Sequence, residues 1–159
     1  MDLARRWGYN DNMAAITEKH SAPIRTGRPL DLIEAQDRAL TLAEEVGLAP
    51  PATLNAQVAV SRIAHALLAG AGGGMLTFAA VKREGAGGDG ADGFEVTAAP
   101  NKQSWPSATS VLLLQLEIEG LLDEVAIAWP QGREGSPWLI ARSWNRAAKA
   151  GPAPLRERR

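Results

Sequence analysis

The amino-acid sequence predicts an α+β fold, a two-layer sandwich in which a mixed β-sheet carries about three helices on one face. Three segments have apolar residues at helical spacing, and several short apolar runs bounded by glycine, proline or charged residues are typical of strands. Along the chain these segments follow the order strand–helix–helix–strand–strand–helix–strand–strand. The 159 residues are enough for one such domain with a hydrophobic core.

The polar ends of the chain set the expected domain boundaries. Residues 1–20 are polar and weakly patterned, and we interpret them as a lead-in segment that is either mobile or docked on a partner. Residues 21–146 form the single domain, and residues 147–159 form a polar C-terminal tail. The domain opens with "HSAPIRT", which predicts a short edge strand because Pro23 cannot donate a ladder hydrogen bond.

The first two helices are predicted from capping and periodicity. Asp31 is the expected N-cap of the first helix, with Glu34 three residues later, and Gly47 is its expected C-cap. The second helix runs from about Thr53 to Leu68. One face of it carries Ala56, Ala59, Val60, Ile63 and Leu67, and the opposite face carries Leu54, Val58, His65 and Leu68. Because both faces are largely apolar, we expect both to be buried.

The remaining elements are two hairpins separated by a helix. "MLTFAAV" (75–81) and "FEVTAA" (94–99) predict two strands, joined by the glycine-rich loop "KREGAGGDGADG". That loop lacks the lysine and Ser/Thr of a P-loop, so we do not interpret it as a phosphate loop. A third helix spans residues 107–122, and "EVAIAW" and "PWLIARSW" predict the last two strands. The stripe of the third helix is Val111, Leu114, Ile118 and Leu121.

Composition narrows the classes of function. The net charge of −1 gives no argument for nucleic-acid binding, and the absence of cysteine excludes disulfides and cysteine–metal sites. The N-terminus has no apolar core of a signal peptide, and the longest uncharged run, residues 63–81, is interrupted by glycines. We therefore expect a cytoplasmic protein that neither crosses a membrane nor binds one.

Three stretches resemble a known bacterial family. These are "IRTGRPLDLIEAQDRALTLAEEVGL", "AVSRIAHALLAGAGGGML" and "LLDEVAIAWPQGREGSPWLIARSW". In order and spacing they are similar to the first strand and helix, the N-box segment and the C-terminal strand pair of the anti-sigma regulatory factors and switch-protein serine kinases. These proteins belong to the histidine-kinase-like ATPase superfamily. The resemblance covers residues 20–144 and implies the Bergerat-type fold of those ATPases.

The residues that work on ATP in that family are replaced here. The family's N-box glutamate and asparagine, four residues apart on one helix face, correspond to Arg62 and Ala66. Neither side chain can hold Mg²⁺ or act as a base. Pro100 stands where the family has its adenine-reading aspartate, and "SWPSATSVLLLQ" lacks the second glycine box. The resemblance therefore implies a degenerate member that is not an enzyme, with no cofactor, metal or catalytic residue.

The resemblance also implies how such a member acts. We expect a non-catalytic regulatory module that binds a protein partner, which in the family is a sigma factor, a STAS-domain protein or a phosphatase; a homodimer is also compatible. Two alternatives stay open. The chain is either an ATP-binding serine-protein kinase or anti-sigma factor with a divergent active site, or a structural subunit of a larger complex.

Three residues are candidates for a partner contact or a pocket. Arg62 is either an anion clamp beside "GAGGG" or a solvent-facing or salt-bridged arginine. His65 is either a phospho-accepting histidine or, more often for such a position, a packed core residue. Trp105 lies in the polar loop "KQSWPS", where its ring either folds back into the old nucleotide pocket or projects as a partner anchor. The adjacent carboxylates Asp123 and Glu124 are expected at the surface.

Overall fold

The computed structural model of the chain describes residues 16–20, 23–70, 72–83, 91–101, 105, 108–129 and 136–145. This part of the chain contains six strands and three helices, which confirms the α+β class and the order of the predicted elements. In chain order they are β1 (Ile16–His20), β2 (Ile24–Thr26), α1 (Pro29–Glu45), α2 (Ala52–Gly70), β3 (Gly74–Arg83), β4 (Ala91–Pro100), α3 (Ala108–Glu119), β5 (Glu124–Ala128) and β6 (Trp138–Trp144).

The strands form an open sheet of order β1-β3-β4-β6-β5, with β2 also paired to β3. Every ladder between the described strands is antiparallel, so the prediction of a mixed sheet is wrong. The physical reason is the position of β6. The α3 crossover makes β4 and β5 run in the same direction, but β6 lies between them and pairs antiparallel with both.

The ends of the chain bear on the predicted domain boundaries. Residues 16–20, which the sequence places in the lead-in, form β1 and pair with residues 79–83 of β3. The sheet therefore begins before residue 21. Residues 1–15, the glycine-rich loop at 84–90 and the predicted tail at 147–159 lie outside the described residues.

The three helices pack on one face of the sheet and enclose the core. On α2, the predicted inner face is confirmed, since each of its five apolar residues has no exposed surface. The prediction that the opposite face is also buried is wrong for Leu54, which is 58% exposed, and for His65, which is exposed, whereas Val58 and Leu68 are half-buried. Apolar side chains therefore occur on a solvent-facing helix surface here.

The start of α1 differs from the predicted cap. The helix begins at Pro29, so Asp31 is its third residue and Arg28 is the N-cap. The Asp31 carboxylate accepts hydrogen bonds from the backbone N–H groups of Gly27 (2.9 Å) and Arg28 (2.8 Å). The bond from Gly27, followed by those from Arg28, holds the pKa of the Asp31 carboxyl below its ordinary value. Asp31 therefore still caps the helix, but from inside its first turn.

Candidate functional site

The positions that match the family's nucleotide site gather at the C-terminal end of α2. Ala66 is half-buried against the core, and Arg62 lies one turn earlier, exposed to solvent. Pro100 ends β4 opposite Gly74, beside the turn that follows α2. The structure therefore brings Ala66 and Pro100 to the same end of the domain, and neither offers a polar side-chain atom to a ligand.

The glycines after α2 cap the helix. Gly72 and Gly73 have φ values of 66° and 97°, which favour glycine, and the Gly73 N–H donates to the Leu67 carbonyl at 2.9 Å. Asn101 closes this turn, since its backbone N–H donates to the Gly73 carbonyl and its side-chain amide to the Gly72 carbonyl. This is the negative end of the helix dipole, whereas phosphate groups bind at the positive N-terminal end. The turn is therefore poorly suited to hold an anion beside Arg62.

His65 does not pack in the core. It lies on the outer face of α2 and is exposed, so the interpretation of a packed core residue is wrong. The phospho-accepting alternative stays a prediction.

Trp105 is buried, with 4% of its surface exposed, and belongs to the core beneath the helices. Its indole N–H donates a 2.8 Å hydrogen bond to the Pro137 carbonyl, just before β6. This bond satisfies the polar atom of the buried ring. The placement favours the folded-back alternative over the exposed partner anchor. That the ring fills the space of a lost nucleotide stays a prediction.

Replacing Trp105 with phenylalanine should remove a blue-shifted component of the tryptophan emission. The buried ring is shielded from water, so iodide should quench the lost component poorly. The measurement is the difference between parent and variant spectra with and without iodide. As a control, Trp129→Phe should remove a red-shifted, quenchable component, because Trp129 is 43% exposed. A red-shifted, freely quenched difference for Trp105→Phe would contradict the burial of its ring.

Asp123 is exposed, as predicted, and it has a structural role. Its carboxylate accepts a hydrogen bond from the Trp144 backbone N–H at 2.7 Å, with the Ser143 hydroxyl at 3.5 Å. Its own backbone N–H donates to the Arg142 carbonyl. Asp123 therefore fixes the end of β6 to the connector that follows α3.

A group of charged residues lies on the face of the sheet opposite the helices. Arg142 of β6 contacts Glu95 of β4 at 2.6 Å, and both side chains are buried. Arg142 and Arg83 each lie 3.6 Å from an oxygen of Glu124, whose Oε2 atom is buried without a hydrogen-bond donor within the described residues. Arg83 also stacks over the Trp144 ring, 5.8 Å from its centroid. The strand pairing explains the cluster, since Glu95 and Glu124 both lie opposite Arg142 in their ladders.

Sequence reasoning did not predict this charged group. The signal was present, because Glu95 and Arg142 interrupt apolar strands and Glu124 begins one. Charged residues are rarely buried unless they are paired. What the sequence lacked was the order of the strands, which decides which charges meet.

A cleft of about 370 Å³ opens at the other end of α2. It is lined by the connector between α1 and α2, the connector between α3 and β5, and the end of β6; its polar side chains include Asn55, Asp123 and Asn145. Ala52 at the cleft and Ala66 at the glycine turn are separated by about 21 Å along the helix axis. The cleft is therefore not the expected nucleotide pocket.

The outer face of α3 is apolar and exposed. Leu112, Leu113 and Leu116 are 51%, 55% and 65% exposed, and their spacing places them side by side on the helix. Three residues of the predicted inner stripe, Val111, Leu114 and Ile118, are buried. We call the three exposed residues the leucine face. The sequence signal for it was a helix with more leucines than one buried stripe can hold.

No family model matches the chain, and no curated protein matches it. Within the described residues, no helix is long and apolar enough to cross a membrane. The same part of the chain contains no group of three or more histidine, aspartate or glutamate side chains placed to hold a metal ion.

Proposed function

We propose that this chain is a non-catalytic regulatory module that acts by binding another protein, a degenerate relative of the anti-sigma factors and switch kinases. The observation that carries the proposal is the leucine face of α3. Three adjacent large apolar side chains, each more than half exposed, are typical of a surface that a partner covers. Isolated exposed leucines are ordinary, but these three, spaced i, i+1 and i+4, form one apolar patch on a helix face, as in surfaces used for helix-mediated recognition.

The residues at the family's nucleotide positions support the non-catalytic part of the proposal. Phosphoryl transfer depends on a bound metal and on polar groups that position the phosphates. Here Ala66 and Pro100 supply no ligand atom, and the glycine turn presents a helix C-terminus. The resemblance places the partner among sigma factors, STAS-domain proteins and phosphatases, and the interaction in the cytoplasm.

Millimolar Mg-ATP should leave the melting temperature unchanged. A ligand at a hundredfold excess over its Kd stabilises a native protein by about 2.7 kcal/mol, which corresponds to about 5–10 °C for a chain of this size. The measurement is a thermal melt with Mg-ATP, Mg-ADP and magnesium alone. A rise of several degrees with nucleotide, absent with magnesium alone, would favour the alternative of an ATP-binding member with a divergent site.

The protein-binding part is tested by site-specific photo-crosslinking in the native cell. A benzophenone amino acid at Leu116 should give one dominant protein adduct. The same amino acid at Ile33, which is also apolar and 64% exposed but lies on α1, is the matched control and should not give that adduct. Equal labelling from both positions, or none from Leu116, would reject the leucine face as a binding surface.

A further inference from the structure

The charge in the segment that carries the leucine face is of one sign. Between Lys102 and Arg133 the sequence contains no lysine, arginine or histidine, but it contains Glu117, Glu119 and Asp123. Glu124 also belongs to this segment, but it faces Arg83 and Arg142 on the other side of the sheet. Glu117 and Glu119 are exposed in the last turn of α3, directly beside Leu116. The apolar surface is therefore bordered by negative charge at its C-terminal end.

These glutamates occupy unfavourable positions within the isolated domain. The C-terminus of a helix carries a partial negative charge, so cations stabilise a last turn and anions destabilise it. The last turn of α3 contains no basic residue. Positively charged groups from another molecule would relieve this repulsion, which gives the surface a reason to prefer a basic partner.

The leucine face continues into the cleft described above. Gly120 lies one helical turn after Leu116 and lines the cleft together with Leu121 and Asp123. Space around Gly120 is open, since a Cβ atom placed there would have no neighbour within 4 Å. A partner segment that lies along the leucine face would therefore place its following side chains in the cleft.

Other charges near this surface do not change its sign. The C-terminus of α1, which ends in Glu44 and Glu45, precedes the connector that lines the cleft, and its last turn also lacks a basic residue. The positive N-terminus of α2 borders the cleft as well, but its partial charge of about +0.5 is smaller than the combined full negative charges of Glu117, Glu119 and Asp123. The neighbouring helix α2 contributes one exposed arginine, Arg62, which lies about three turns, or about 15 Å, beyond the cleft end of that helix.

We propose that the leucine face and the adjoining cleft bind an amphipathic helical segment of the partner protein, whose apolar side chains are followed at one end by lysine or arginine. The apolar side chains cover Leu112, Leu113 and Leu116, and the basic end lies over Glu117, Glu119 and the mouth of the cleft. This inference rests on the proposed function. A second copy of this chain fits less well, because an isologous contact would use the same surface of both copies, and residues 103–132 contain no basic residue to meet the glutamates.

The test uses the full-length chain and two synthetic helical peptides that carry fluorescein. Both peptides have leucines at i, i+3, i+4 and i+7; one ends in four lysines and the other in four glutamines. Fluorescence anisotropy should show about tenfold tighter binding of the lysine peptide at low salt, with the difference shrinking as salt is raised. Equal binding of the two peptides would overturn the proposal.

Variants of this surface test which residues cause the preference for the lysine peptide. The double change Glu117→Lys with Glu119→Lys should remove or reverse the preference for the lysine peptide. Glu34→Lys with Asp37→Lys, at two exposed positions on α1, changes the net charge by the same amount and should keep the preference. Leu113→Ser with Leu116→Ser should abolish binding of both peptides. Thermal melts establish that each variant is folded, which is expected because all these positions are exposed. A charge-reversal variant that binds like the parent would overturn the proposal.

The proposed function and the inference of a basic partner can fail separately. If the Leu116 crosslink in cells gives its adduct but the peptides show no preference for lysine, the leucine face is a binding surface and the basic partner is wrong. If no adduct forms and neither peptide binds, the proposed function fails together with the inference. Self-association through α3, detected by sedimentation and abolished by Leu113→Ser with Leu116→Ser, would replace the basic partner with a second copy.

Discussion

Replacing Glu95 with alanine is expected to lower the free energy of unfolding by about 3 kcal/mol. This value is the lower end of the range for removing one partner of a buried ion pair. The Glu95 and Arg142 side chains are only 5% and 9% exposed and lie 2.6 Å apart. Without Glu95, the Arg142 guanidinium loses its closest carboxylate in a site with little access to water. The lower end applies because Glu124 still lies 3.6 Å from Arg142 and offsets part of its charge.

Urea unfolding of parent and variant measures this change. Glu34→Ala is the matched control, because Glu34 also faces an arginine, at 3.8 Å, but its side chain is 59% exposed. An exposed pair of this kind contributes at most about 0.5 kcal/mol. Comparable urea midpoints for Glu95→Ala and Glu34→Ala would contradict the burial of the pair.

A second variant separates the charge from the packing. Glu95→Leu combined with Arg142→Met removes both partners and keeps apolar volume between β4 and β6. Replacing a buried pair by apolar residues is often close to neutral. The double variant should therefore be more stable than Glu95→Ala, although among the described residues Glu124 then keeps only Arg83, at 3.6 Å.

The sequence predicts elements well where one physical signal dominates. The inner face of α2 follows from apolar periodicity alone, and all of its predicted residues are buried. The start of α1 shows where two signals compete. Asp31 with Glu34 fits a capping box, but Pro29 marks a helix start two residues earlier, and the structure follows the proline.

Features that depend on spatial neighbours were not predictable in the same way. The sheet is antiparallel because β6 lies between β4 and β5, and no residue in those strands encodes that order. The two glutamates that meet Arg142 come from β4 and β5, far apart in sequence. Likewise, periodicity identifies two apolar faces on α2, but only the packing of the other helices decides that Leu54 stays exposed.

For the nucleotide site, the sequence predicted only which ligand residues are missing. The sequence identifies Arg62, Ala66 and Pro100 as replacements for nucleotide ligands, and that comparison depends on the resemblance. The leucine face depends on the tertiary structure. Besides the buried stripe of Val111, Leu114 and Ile118, α3 carries three further leucines, and the sequence does not show whether another element covers them.

Replacing Leu67 with alanine is expected to lower the free energy of unfolding by about 2–5 kcal/mol. Leu67 has no exposed surface and lies at the C-terminal end of α2, between the helix and the sheet. A leucine methyl lies 3.0 Å from the position that a Cβ atom would take at Gly74. Since Gly74 has no side chain that could move into the space, the cavity left by the change should stay open.

The control is the same substitution on the same helix. Leu54→Ala removes an equal number of carbon atoms from a residue that is 58% exposed, and its effect should stay within about 0.5 kcal/mol. The helix propensities of leucine and alanine enter both variants equally, so the difference between them isolates burial. Urea unfolding should give a clearly lower midpoint for Leu67→Ala at a similar slope. If the two variants unfold at the same urea concentration, then α2 does not bury the face on which the whole placement of the candidate site depends.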